Sequence, residues 1–368
     1  MSNSTEKLFS PFSFNGLTIP NRVVMAPMTR NFSPGEVPGA DVAAYYRRRA
    51  EGGTGLIITE GTTVGHRVST MADTIPAFHG QAALDGWKNV VSEVHEAGGK
   101  IMPQLWHVGT MRNQKEAPNP DEPSAGPSGL FVPGKPVADP MTPEDIQACI
   151  DAFRRSAGAA REAGFDGIEL HGAHGYLIDQ FFWEGTNQRD DEYGGKDAVA
   201  RTKFAVDIIN AVRSEVGDDY PLILRFSQWK QQDFDHKIAP TSEELAAFLK
   251  PLSDAGVDVF HCSTRRFWEP EFEESDLNLA GWTKKLTGKP TITVGSVGLS
   301  GEFIAAFAGE GSEPTSIDKL LDRLNADEFD MVAVGRALLV DPEWANKIRD
   351  GRADELKTFT REAMTELA

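Results

Sequence analysis

The chain has 368 residues, 40% of them hydrophobic, with a formal charge of −18 and an isoelectric point of about 4.9. That length buries a large core, in one barrel-sized domain or two ordinary ones. The acidity argues against nucleic acid or an anionic membrane surface as partner, because binding phosphate needs a basic stripe and none is visible.

Cys149 and Cys262, far apart and the only cysteines, offer no disulfide framework and no thiolate metal or cluster motif. The stretch MSNSTEKLFSPF lacks the positive region and apolar core of a signal peptide, and no apolar run approaches the ~18–20 residues of a membrane span. A soluble, cytoplasmic protein is expected, and either a monomer or a homo-oligomer is compatible with the sequence.

In chain order, Leu8–Ile19 reads as a hairpin turning at Asn15-Gly16 and closing the bottom of whatever follows. Apolar runs then recur at Arg22–Pro27, Gly55–Thr62, Lys100–Trp106, Gly167–His171, Pro221–Ser227, Asp258–Thr264, Thr291–Val297 and Met331–Ala337. Near-continuous apolar strands suit a parallel sheet covered on both faces. Helical stretches lie between them at Val42–Glu51, Leu84–Ala97, Thr142–Ala163, Ala198–Val216 and Ser242–Ala255. Thr142-Pro143-Glu144-Asp145 is an N-cap with Pro at the first helical position, and Gly164 and Gly256 are helix stops. Eight βα units predict an α/β fold, a single (β/α)8 TIM barrel over residues 1–368. A doubly wound sheet is the alternative, but PMTRN after the first strand lacks the Gly-rich dinucleotide turn. The long Pro- and Gly-rich loop Val108–Met141 after strand three is expected to cover the barrel mouth.

In such a barrel the reactive groups come from the carboxyl ends of the strands. Those ends supply Pro27-Met28-Thr29, Glu60-Gly61-Thr62, Gln104 and Trp106, then His171, His174 and Tyr176, then Arg225, Gly295-Ser296 and Gly335-Arg336. In GIELHGAHGYLIDQF (167–181) the strand ends in His171, and a Gly-containing turn delivers His174 and Tyr176. Two imidazoles and a phenol form a donor cluster for a carbonyl or nitro oxygen, with a proton for the neighbouring carbon. Tyr176, with an ordinary pKa of about 10, stays protonated at neutral pH and suits a general acid. Glycines and Arg336 after strands seven and eight fit a phosphate. Arg225 fits a ligand that becomes anionic, such as a reduced flavin, or else pairs with a carboxylate such as Glu169 or Glu60. The Gln104 amide, both donor and acceptor, suits the edge of a pyrimidine ring or a satisfied place in the core. A metal on His171-x-x-His174 lacks a third ligand, and a purely structural His pair is the other alternative. No metal is expected.

Together NRVVMAPMTR (21–30), GLIITEGT (55–62), QLWHVG (104–109), HGAHGYLIDQF (171–181), NQRDDEYGG (187–195) and VGRALL (334–339) resemble the Old Yellow Enzyme family of FMN-dependent ene-reductases, from about Leu8 to Trp344. The resemblance implies tight, non-covalent FMN with NADPH or NADH as reductant. Pro27, Met28 and Thr29 would lie near the hydride-carrying nitrogen, Gly61, Gln104 and Arg225 would hold the pyrimidine half, and Gly295, Ser296, Gly335 and Arg336 would hold the phosphate. His171 and His174 would bind the oxygen of an α,β-unsaturated carbonyl or nitro substrate, and Tyr176 would protonate its α-carbon while hydride reaches the β-carbon. Thr29 matches the branch with Thr there, where the thermophilic-like branch carries Cys. Departures are Thr110 where Arg is frequent, WEGTN where Ser-Pro is common, the segment KDAVARTKF after Gly195, and EAMTELA without the aromatic that often caps the substrate. Trp106 belongs to the candidate substrate wall, and Phe267 or Trp268, after strand six, is expected to close the pocket. The alternatives are an N-methyl amine demethylase on the same scaffold, a colourless phosphate-binding lyase or isomerase, and a non-catalytic binding protein.

Overall fold

A computed structural model describes residues 4–301 and 311–368. Residues 1–3 and 302–310, part of the expected 1–368 unit, lie outside the described residues. Strands β1 (Phe12–Phe14) and β2 (Leu17–Ile19) form the expected hairpin, with Phe12 opposite Ile19. Its turn residues Asn15 and Gly16 have φ of 39° and 78°, the paired positive values that a two-residue turn needs to match strand twist.

Eight parallel strands then close into a barrel. They are β3 (Val23–Met25), β4 (Leu56–Thr63), β5 (Ile101–Trp106), β8 (Ile168–His174), β9 (Leu222–Lys230), β10 (Val259–Ser263), β11 (Thr291–Val294) and β12 (Met331–Val334), with β12 pairing back to β3. A small antiparallel pair, β6 (Leu130–Val132) and β7 (Lys135–Pro136), lies in the loop after β5. The helices between strands include α1 (Ala40–Glu51), α2 (Gln81–Glu96), α3 (Pro143–Ala163), α4 (Leu177–Phe182), α5 (Lys203–Val216), α6 (Ser242–Asp254), α7 (Leu279–Thr287), α8 (Asp318–Asn325), α9 (Arg336–Val340) and α10 (Trp344–Arg349). No described helix is long and apolar enough to cross a membrane.

Both faces of the barrel strands are buried, which explains the unbroken apolar runs. Val23, Ile57, Leu224 and Val332 face the helices; Val24, Ile58, Ile223 and Met331 face the barrel axis. Phe14 and Ile19 of the hairpin join that axial cluster and plug the amino-terminal end. Each such fully buried side chain contributes about 1.5–3 kcal/mol. Helix α3 begins as expected, with a Thr142–Asp145 capping box and Pro143 at its first position, and stops at Gly164, whose φ is 89°.

Two expectations need correction. β8 does not end at His171 but runs to His174. Its register against β9 shifts between Gly172 and His174, so the last residue pairs with Lys230. No residue of the loop 108–141 lines the cavity at the barrel mouth, so it does not form the expected cover there. Arg189 donates to the carbonyls of Pro127 (2.7 Å) and Met141 (2.6 Å), which ties the loop to the 187–191 segment, and Thr110 donates within the loop to the carbonyl of Leu130 (2.9 Å). Unanswered loop carbonyls require such partners once buried, and here that segment provides them.

Candidate active site

Axial positions change character halfway along the strands. On β9, Ile223 belongs to the apolar layer and Arg225, two residues on, is a buried guanidinium. On β5 the step runs from Met102 to Gln104, and on β10 from Val259 to His261 and Ser263. Above these polar groups lies a cavity of about 550 Å³ at the carboxyl ends of the strands.

Its floor is a hydrogen-bonded set. Gln104 Nε2 donates to Glu169 Oε1 (2.7 Å), and Glu169 Oε2 is 2.7 Å from His261 Nδ1. The Gln104 Oε1 acceptor is therefore the amide atom turned away from the carboxylate. Arg225 donates to Ser263 Oγ (3.3 Å), its Nε is buried without a partner, and no carboxylate lies at ion-pair distance among the described residues. Glu60 instead accepts from the Arg30 amide (2.9 Å), and burial pushes its pKa up to about 7. Arg225 therefore makes no direct ion pair, the Glu169 charge offsets part of its burial, and its Nε–H donor fits a ligand.

One wall is aromatic. Trp106 meets Tyr176 edge to face (4.8 Å, 85°) and lies near-parallel to His171 (6.1 Å, 30°). Gly61 allows this, since a Cβ there would come within 2.5 Å of Trp106 Cε3. His171 and His174 are edge to face at 5.2 Å, and His174 Nε2 is 2.7 Å from Ser263 Oγ. His174 has φ of 66°, a left-handed conformation held by its amide donating to Ser227 Oγ (3.0 Å). Burial, reinforced by the Arg225 charge, drives both imidazoles well below the usual range, so each is neutral and keeps one N–H. Burial raises the Tyr176 pKa, and the phenol stays protonated.

At the other end, Gly295 (φ 134°) and Ser296 (φ 50°) present an irregular backbone, and a Cβ on Gly295 would be 2.7 Å from the Thr264 carbonyl. Arg336 donates to the Gly301 carbonyl (2.6 Å) and lies 5.5 Å from the Phe359 ring. Pro27, Met28 and Thr29 line the cavity between the two ends, beside Gly335.

Thirteen of the fifteen candidate residues thus meet at one cavity; Gly61 and Phe267 do not line it. Gly61 backs Trp106. Phe267 is packed in the outer core, with its amide donating to the Gly295 carbonyl (3.2 Å), so the pocket-closing expectation fails. Trp268 is also outside the lining; Met364, Trp229 and Arg265 are in it. Ser263, Thr264 and Arg265 were legible, since they end strand six, whose end supplied no candidate. Trp229 and Gln231 escaped because β9 runs three residues beyond the apolar run.

A metal gains nothing here, for His174 is engaged by Ser263. Elsewhere His66, His107 and Cys149 lie close enough to share an ion. His107 Nδ1 accepts from the Gly109 amide (3.0 Å), so its Nε2 carries the proton shared with His66 Nδ1 at 2.9 Å, and burial keeps Cys149 a thiol. Among the described residues these groups form a hydrogen-bonded His66–His107 pair beside a buried thiol.

The donors fit FMN. An acceptor on Gln104 and the unpartnered Nε–H of Arg225 suit a pyrimidine edge, and glycine backbone with Arg336 suits a phosphate. Fold and site together describe a (β/α)8 barrel whose mouth cavity fits a flavin. The model of the NADH:flavin oxidoreductase / NADH oxidase family matches residues 7–355, and the chain belongs to that family. It is 35% identical over 362 residues to an NADH oxidase of Thermoanaerobacter brockii, covering 95% of this chain and 52% of that protein. It is 40% identical over 215 residues to a putative 12-oxophytodienoate reductase 2 of Oryza sativa subsp. japonica, 57% of this chain and 56% of that one. The chain thus spans about half the length of these curated relatives. An Old Yellow Enzyme homologue from Zymomonas mobilis superposes with a TM-score of 0.80 at 25% identity, covering 97% of this chain and 96% of that one. The Old Yellow Enzyme resemblance is thereby borne out, with FMN as the cofactor that the family and the site fit.

Proposed function

We propose that the protein is an NAD(P)H-dependent ene-reductase acting on activated alkenes, α,β-unsaturated carbonyl compounds first and nitro compounds as a further class. When bound, FMN supplies the redox chemistry, taking hydride from the nicotinamide and giving hydride to the alkene β-carbon. His171 and His174 hold the carbonyl or nitro oxygen through neutral N–H donors, which favours the charge that gathers there. Tyr176 gives its phenolic proton to the α-carbon, and the tyrosinate regains a proton from water. Arg225 and Gln104 hold the pyrimidine edge, Pro27, Met28 and Thr29 border the reacting face, and Gly295, Ser296, Gly335 and Arg336 take the phosphate. Trp106, backed by Gly61, sets the angle of Tyr176 and lines the substrate wall.

The observation that carries this reading is a protonated phenol packed 5.1 Å, ring to ring, from a neutral imidazole in the cavity. The name of the rice relative, a 12-oxophytodienoate reductase, fits the same substrate class. The test is the anaerobic cycle of the purified protein. NADH or NADPH is expected to bleach the visible flavin band and 2-cyclohexenone to restore it. Bleaching by an N-methyl amine alone, with no return of colour on adding an enone, would favour the demethylase instead.

A further inference from the structure

The stretch Trp229-Lys230-Gln231-Gln232, where β9 overruns its apolar run, touches every residue of the 174–176 turn. Trp229 lies near-parallel to His174 (4.6 Å, 28°) and is anchored by Nε1 donating to the Ser263 carbonyl (3.1 Å). Lys230 Nζ is 2.6 Å from Asp179 Oδ1, a wholly buried ion pair, and Asp179 Oδ2 accepts from the Gly175 amide (2.7 Å). Gln180 Nε2 holds the Gly175 carbonyl (2.6 Å). Gln231 Nε2 donates to the Tyr176 hydroxyl oxygen (3.1 Å), and its side chain lines the cavity.

A buried lysine facing a buried carboxylate is held in place because separating the two leaves an uncompensated charge. The end of β9 and the turn are therefore fixed to one another. The consequence falls on Tyr176. A phenol oxygen that accepts an N–H has one lone pair occupied, so its own proton points elsewhere, and the anion left after donation keeps that N–H. The same contact lowers the pKa that burial raises.

We propose that Gln231 is a positioning residue for proton delivery: held by the Lys230–Asp179 pair, its amide N–H turns the Tyr176 hydroxyl toward the substrate carbon and stabilises the tyrosinate formed. This rests on the reading of Tyr176 as the donor. The contact counts only if it is stronger after the proton has left.

The test uses FMN-loaded protein and anaerobic stopped-flow, with reduction by NADH and reoxidation by 2-cyclohexenone measured separately. Tyr176→Phe is expected to slow reoxidation about 100-fold or more, as loss of a general acid does. Gln231→Leu is expected to slow it about 5- to 10-fold, the size of one hydrogen bond, with reduction unchanged. The double variant should be no slower than Tyr176→Phe alone. Gln231→Glu gives the sharper readout. Its carboxylate accepts the phenol proton, so reoxidation should fall further at pH 8 and recover toward pH 5 as the carboxyl regains a donor. Visible flavin absorbance and thermal midpoint report whether each variant is folded and loaded.

If Tyr176→Phe reoxidises at the native rate, the donor reading itself fails. If Tyr176→Phe is slow but Gln231→Leu is native, or Gln231→Leu adds to Tyr176→Phe in the double variant, only the role of Gln231 is overturned. A Gln231→Glu variant whose rate does not change with pH has the same meaning.

Discussion

Two halves of the barrel interior, built by the same eight strands, obey opposite rules. Toward the amino-terminal ends the axial positions are Val24, Ile58, Met102, Ile223, Val259, Ile292 and Met331, sealed by Phe14 and Ile19 of the hairpin. One alternation further along, the positions facing the same axis are Gln104, Arg225 and His261, with Glu169 and His171 on β8. Two residues of strand, about 6.6 Å of rise, separate packing from chemistry. The lower layer makes the cylinder rigid enough that buried polar groups above it are held with donors unanswered, which a softer interior would let relax.

Ile223 and Arg225, neighbours on one face of β9, allow the contrast to be broken cleanly. Ile223→Ala is expected to cost about 2–5 kcal/mol of unfolding free energy, the range for emptying a packed aliphatic site, while FMN still binds. Urea unfolding of the apoprotein and titration with FMN read the two quantities. Arg225→Met should do the reverse. Removing a charge-assisted contact worth about 1.5–3 kcal/mol weakens FMN binding roughly 10- to 150-fold. The apoprotein should be no less stable, since a buried cation without a carboxylate at ion-pair distance is removed. If both variants lose stability and flavin together, the two layers act as one.

The same contrast governs what was legible in the sequence. The lower layer announces itself through apolar runs of strand length, and all eight strands fall where the runs do, within a few residues at their ends. Most of the upper layer was legible because a strand end narrows the choice to two or three residues. Gln104, His171 and Arg225 are polar where an apolar residue would otherwise stand. What escaped depends on contacts distant in sequence. The overrun of β9 needs the bulge at Gly172 and the buried Lys230–Asp179 pair, and neither half of that pair is distinctive alone. Phe267 misled because position in a loop does not give direction: its side chain turns outward into the helix layer. Met364 reaches the cavity because Arg30 donates to the Ala363 carbonyl (3.2 Å), a link across 333 positions.

A smaller effect separates the halves by pH. The lower layer is lined by apolar side chains, whereas the upper half buries His171, His174 and His261, with His107 beside them, all with pKa values depressed by burial. His66 is lowered to about 4. Unfolded, these imidazoles bind protons near pH 6.5; folded, they do not, so the unfolded state takes up more protons as pH falls. Their contribution is complete above about pH 6.5 and is lost progressively toward pH 4. Glu60, raised to about 7, works in the opposite sense between about 4.5 and 7, and burial also raises Asp179, Glu271 and Glu36, fewer carboxyls than lowered imidazoles. The urea midpoint is expected to fall between pH 7 and pH 5, and a flat or rising profile would mean that these histidines are charged in the folded protein.

The smallest expected effect lies outside both layers. Thr142 Oγ1 accepts from the Asp145 amide (3.2 Å) at the start of α3, the helix that leads into β8 and its two histidines. Thr142→Ala should cost about 1 kcal/mol of stability, visible as a small shift in urea midpoint. It should leave FMN affinity and both half-reactions at native values, because β8 is held in register by β5 and β9 rather than by the helix end. A loss of reoxidation rate in this variant would show that the outer helices, and not the barrel wall alone, set the positions of His171 and His174.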